Sequence, residues 1–102
     1  MVDITINEQD GRLVAALNGE LDNVASSQAE RDFAPVFERD DCDIVVDCTQ
    51  LTYISSSGLR IVLNIFKHAR TCGHKLIIKG MTEDIEEIFQ MSGFLQLFMV
   101  EK

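Results

Sequence analysis

Three consecutive hydroxyls, Ser55, Ser56 and Ser57, stand before Gly58 and an amphipathic run from Leu59 to Ala69. Side chains at such a junction sit where a helix begins. The unpaired backbone N–H groups and the positive end of the helix dipole favour an added negative charge there. The chemistry open to the cluster is acceptance of a phosphoryl group. The plainer reading is helix capping, for which serine is favoured over alanine by roughly 0.5 to 2 kcal/mol. One cap needs one hydroxyl, so three in a row leave the others to account for.

Other chemistries fit the residue pattern less well. A serine hydrolase needs a base and an orienting acid beside the nucleophile, and the sequence has no GxSxG elbow. Its histidines, His68 and His74, lie at or beyond the far end of the helix, about 15 Å from Ser57 at ~1.5 Å per residue. No GxGxxG or P-loop supports nucleotide binding. His68, Cys72 and His74 could be read as metal ligands, yet a fourth is missing and the spacing matches no common zinc pattern. The reading is a protein without catalytic residues, metal or cofactor.

Composition narrows the partners. The chain has 102 residues, enough for one hydrophobic core and one domain, 1–102. A net charge of -8 would repel a phosphate backbone, which excludes nucleic acid as an expected partner. No apolar stretch approaches the roughly 20 residues needed to cross a bilayer, and the first residues lack a secretory pattern. Three cysteines, Cys42, Cys48 and Cys72, are an odd number without a CxxC pair and suit a reducing compartment. A cytoplasmic location is expected, with no membrane insertion.

The elements that must position the serines follow from periodicity. Val2–Ile6 alternates apolar and polar residues, Arg12–Leu17 is apolar-rich, and Asp10-Gly11 lies between them, which predicts an antiparallel hairpin. Gly19-Glu20-Leu21-Asp22 is expected to end it. Ala25, Ala29, Phe33, Val36 and Phe37 recur at helical spacing, with Pro35 forcing a kink or boundary near Ala34. Ile44-Val45-Val46 and Leu76-Ile77-Ile78 read as buried parallel strands.

Between those strands a helix carries Leu59, Val62, Leu63, Phe66 and Ala69 inward and closes at Gly73. Ile61 and Ile65 lie off that stripe; Ile65 is assigned to the core, and Ile61 is open between core and a partner surface. A last helix is expected over Glu83–Met91, capped by Thr82 and stopped by Ser92-Gly93. Leu95, Leu97 and Met99 alternate with Gln96 and Phe98, which predicts a final edge strand. The order β-β-α-β-α-β-α-β predicts an α/β fold, a mixed and mostly parallel sheet with right-handed crossovers. Functional loops then fall at the C-terminal ends of its parallel strands, where the serines follow the Ile44 run. Asp22 and Asp47 are expected at neighbouring strand ends.

Four segments, in order, resemble the STAS domain, shared by sulfate transporters and bacterial anti-sigma factor antagonists. They are Asn18-Gly19-Glu20-Leu21-Asp22; Ile44-Val45-Val46-Asp47 with Leu51-Thr52-Tyr53-Ile54; Ser55-Ser56-Ser57-Gly58-Leu59; and Phe89-Gln90-Met91-Ser92-Gly93-Phe94. The antagonists that this chain is similar to read Asp-Ser-Ser-Gly at the third segment. Here Ser55 replaces the aspartate, and Arg60 replaces a second glycine.

The resemblance implies a single STAS-like domain acting as an anti-sigma factor antagonist, a non-enzymatic switch. Unmodified, it binds an anti-sigma factor that is also a serine kinase; phosphorylated, it does not, and a phosphatase resets it. The serine before the glycine, Ser57, is the implied phosphorylation site. Asp22, Ser55, Ser56, Ser57, Gly58, Arg60 and Ile61 form the expected partner-binding surface, with Arg60 a cation that a phosphate could use. The alternative is a STAS subunit with a structural or regulatory role in a lipid-transport or stress-signalling complex, without phosphorylation.

Overall fold

The chain begins with a hairpin whose turn is dictated by two residues. Strands β1 (Val2–Gln9) and β2 (Arg12–Leu21) pair antiparallel from Val2↔Gly19 to Gln9↔Arg12. Asp10 and Gly11 both have positive φ, 54° and 77°, the geometry whose twist matches a two-residue hairpin. The strands run further than alternation alone indicates, so Gly19 to Leu21 lie inside β2, where the pairing to β3 shifts register. This computed structural model describes residues 2–101.

Helix α1 (Asn23–Asp32) stops before Pro35, which is placed in the first turn of the short α2 (Ala34–Phe37), where its missing N–H costs nothing. Strand β3 (Ile44–Ile54) then leads into α3 (Ser56–Thr71), β4 (Leu76–Lys79), α4 (Glu83–Ser92) and β5 (Met99–Glu101). The five strands lie in chain order, β1-β2-β3-β4-β5, with every pair after the first parallel. Successive right-handed crossovers in one direction place the helices on one face of the sheet. The core forms there: Leu13, Ala15, Leu17, Ile44, Val46, Leu76 and Ile78 from the strands meet Ala29, Phe33, Val62, Ile65, Ile85 and Phe89 from the helical layer.

Two expectations are corrected. The buried stripe of α3 is Leu59, Ile61, Val62, Ile65 and Ala69, while Leu63 and Phe66 are only half-buried. The helix packs against both the sheet and α1, so its buried arc takes in Ile61 and Ile65. The alternating segment after Gly93 is not one long strand. Leu95–Leu97 forms a 3-10 turn, Phe98 is buried against Phe66 and Phe89, and only Met99–Glu101 pairs with β4. The aromatic contacts, at ring separations of 5.5 and 5.9 Å, override the period-2 pattern by fixing Phe98 inward.

The other face of the sheet has no helix, yet Val45 is 1% exposed and Ile77 6%. Both belong to a cross-strand row, Asn7–Val14–Val45–Ile77–Met99. Arg12 on β2 pairs with Glu101 on β5 at 3.1 Å, although three strand spacings of about 4.8 Å separate those strands. The two long side chains therefore reach toward each other across β3 and β4.

Candidate functional site

Helix α3 starts three residues earlier than the Leu59 periodicity implies, and the serines are its first turn. Ser55 is the N-cap, extended at φ -91° and ψ 174°, and its hydroxyl accepts from the Gly58 N–H at 3.2 Å. Its own N–H donates to the Leu21 carbonyl at 2.9 Å. With 5% exposure, Ser55 serves as the structural cap of the helix. One hydroxyl is thus spent on capping, as the energetics of caps requires.

The remaining two are free of that duty. Ser56 is exposed and Ser57 half-buried, and no hydrogen bond among the described residues engages either hydroxyl. Gly58 is buried where α3 crosses the end of β2. A Cβ built on it would stand 2.8 Å from Leu21 Cγ and from Ile54 Cγ1, and 3.0 Å from the Leu21 carbonyl oxygen. Glycine is required by that approach, so Gly58 lets the start of α3 close onto the ends of β2 and β3. Ile61, left open between core and partner surface by the sequence, is 3% exposed and part of the core.

Asp22 is beside the serines through Leu21. It caps α1, its Oδ1 accepting from the Ala25 N–H at 2.8 Å. Two helix starts are therefore stitched to adjacent strand ends. Asp47 is not there: it lies within β3, where its Oδ1 accepts from the Thr49 N–H at 3.0 Å and from the Thr49 hydroxyl at 2.6 Å, so the expectation of a strand end is corrected.

Beside the serines opens a groove of about 270 Å³ lined by Ser56, Leu59, Arg60, Leu63, Ser92 and Phe94. Arg60 is exposed, and no ion pair among the described residues involves it. Leu63, Ser92 and Phe94 were missed as site residues. The Met91-Ser92-Gly93-Phe94 segment marked the resemblance, but nothing in its spacing shows that the end of α4 meets the start of α3. Met91, 82% exposed, and Val24, 89% exposed on the first turn of α1, add apolar surface that periodicity flags only as residues off their helices' inner stripes.

At the far end of α3 the histidines have structural partners. His68 Nε2 donates to the Arg39 carbonyl at 2.7 Å, and His74 Nδ1 lies 3.3 Å from Asp43 Oδ1. Among the described residues no group of three or more His, Cys, Asp or Glu is placed to hold a metal. Arg39 also bonds Glu8 and Asp41, at 2.6 and 2.9 Å; its hydrogen bond holds the Asp41 carboxyl below the usual range. Burial pushes the Cys48 thiol up to about 12 and raises Cys42 as well.

A sequentially ordered mixed sheet covered by helices on one face, with a serine-started helix rising from the end of its central strand, defines a class of small α/β domain. The STAS domain family model matches residues 3–102, and the chain belongs to that family. It is 34% identical over 97 residues to BtrV of Bordetella bronchiseptica, which carries a provisional assignment as an anti-sigma factor antagonist; the match covers 95% of this chain and 84% of BtrV. Among solved structures, an anti-sigma-factor antagonist (STAS) domain protein from Planctomyces limnophilus superposes with a TM-score of 0.90 at 10% identity, over 97% of this chain and 89% of that one. The Bacillus cell fate determinant SpoIIAA in its phosphorylated form gives a TM-score of 0.72 at 20% identity, over 98% and 92%. No helix among the described residues is long and apolar enough to cross a membrane.

Proposed function

We propose that this chain is an anti-sigma factor antagonist, a binding switch without catalysis of its own, whose affinity is set by a phosphoryl group on the first turn of α3. The observation that carries the reading is the division of labour among the serines. Ser55 is consumed by the cap, while Ser56 and Ser57 are left unengaged beside an apolar groove. The similarity to BtrV and to a phosphorylated SpoIIAA supports it. The resemblance assigns the phosphate to Ser57; the greater exposure of Ser56 favours that neighbour, and fragment mapping of the modified chain decides between them.

In the forward step the serine oxygen attacks the γ-phosphorus of ATP held by the partner kinase. ADP leaves, and the hydroxyl proton passes to the kinase. The product carries about -1.5 to -2 charge, favoured by the helix start by about 0.3 to 1 kcal/mol, so the domain keeps its shape. A partner closing over the groove must desolvate that dianion, at a cost of several kcal/mol. About 3 kcal/mol already weakens binding on the order of a hundredfold. Asp22 and Arg60 frame the surface the partner would contact, and a phosphatase would reverse the step.

The test is affinity capture of partners from the native cell with Ser56 and Ser57 variants. Alanine variants retain an anti-sigma kinase; Ser56→Asp or Ser57→Asp loses it, with melting temperatures unchanged. Equal capture by every variant refutes the switch. An ATPase with a permease in place of the kinase supports a structural role in a transport complex instead.

A further inference from the structure

Arg60 is a cation of the site that no polar contact among the described residues accounts for. It follows Ser56 by one helical turn, and both side chains line the same groove. No salt bridge or hydrogen bond among the described residues engages its guanidinium, although the chain carries 17 acidic residues against 9 basic ones. Positions four apart on a helix are neighbours, and an anion N-terminal to a cation is the better orientation. A guanidinium presents a planar fork that matches phosphate oxygens in a bidentate pair.

We propose that Arg60 clamps a phosphoryl group carried by Ser56, drawing its guanidinium across the mouth of the groove. Modification then does two things at once. It charges the docking surface, and it lays the arginine stem over the apolar walls formed by Leu59, Leu63 and Phe94. The clamp rests on the phosphorylation reading above and adds to it a device built from this chain's own side chains. A partner must displace the arginine before it reaches the groove.

The test installs phosphoserine at position 56 by genetic encoding, so it needs no kinase, and follows the second phosphate ionisation by phosphorus-31 NMR. That ionisation lies near 6 in ordinary phosphoserine. A clamping guanidinium favours the dianion and lowers it. The expected shift against the Arg60→Gln chain is about half a unit to one unit, roughly three- to tenfold in proton affinity. The open groove keeps it below the ~1 to 3 units of a closer carboxylate–arginine pair. The helix start acts equally in both chains and cancels. Arg60→Lys keeps part of the shift, and about 1 M salt abolishes it. The same ionisation in the wild-type and Arg60→Gln chains overturns the clamp. The switch reading fails separately, on native protein that carries no phosphate on the first turn of α3.

Discussion

Gly58→Ala sets two well-characterised effects against each other. Helix propensity alone makes alanine better than glycine by about 0.8 to 1.0 kcal/mol. Packing opposes it, since the new methyl would meet Leu21 Cγ and Ile54 Cγ1 at 2.8 Å and the Leu21 carbonyl oxygen at 3.0 Å. Overfilling of this kind costs about 1 to 3 kcal/mol. The aliphatic groups can yield by changing rotamer, whereas the carbonyl is held by the Ser55 N–H at 2.9 Å. Retreat of that oxygen loosens a bond contributing about 1 kcal/mol, which places the cost toward the upper end. Packing wins, with a net loss of about 1 to 2 kcal/mol and a melting temperature lower by roughly 4 to 16 °C. Circular dichroism melts and urea titrations of the variant and wild type measure it, with Ser57→Ala as a surface control expected within about 0.5 kcal/mol. A Gly58→Ala chain that melts at or above the wild-type temperature refutes the reasoning, because the junction of α3 and β2 would then have room to spare.

The same melts distinguish the serines: Ser55→Ala removes the cap and costs about 1 kcal/mol, whereas Ser56→Ala stays within about 0.5 kcal/mol. A double-mutant cycle on Arg12 and Glu101, whose side chains are 35% and 44% exposed, gives a coupling of about 0.2 to 1 kcal/mol at low salt that fades at high salt; additive effects at low salt would deny the bridge across the sheet. Iodoacetamide at pH 8 labels the half-exposed Cys72 and spares Cys48, whose thiol, pushed up to about 12 by burial, stays protonated below that pH and supplies almost no thiolate. Mass mapping of the adducts reads this directly, and early labelling of Cys48 would contradict its burial.

Much of the fold is legible because local signals agree. Asp10-Gly11 specifies its turn, Pro35 ends α1, and the β-branched runs at Ile44 and Leu76 specify parallel strands. The signal fails where a tertiary contact decides. Phe98 points inward because Phe66 and Phe89 wait for it, and Ile61 is core because α3 lies against the sheet, a rotation that periodicity leaves undetermined over so few turns. The serine cluster is readable as a helix start, but which hydroxyl is the cap depends on the boundary, and the hydrophobic period begins only at Leu59. The groove wall from Ser92 and Phe94 belongs to a segment far along the chain, and spacing carries no information about that meeting.

The seam that joins Leu21, Asp22 and Ser55 has a consequence for turnover. Since the Leu21 carbonyl secures the start of α3 while Asp22 secures the start of α1, the landing platform is preorganised. A protein that docked there, as proposed, would find a surface with little conformational freedom left to lose. Under the switch proposed above, neither docking nor release would call for this seam to unfold and re-form.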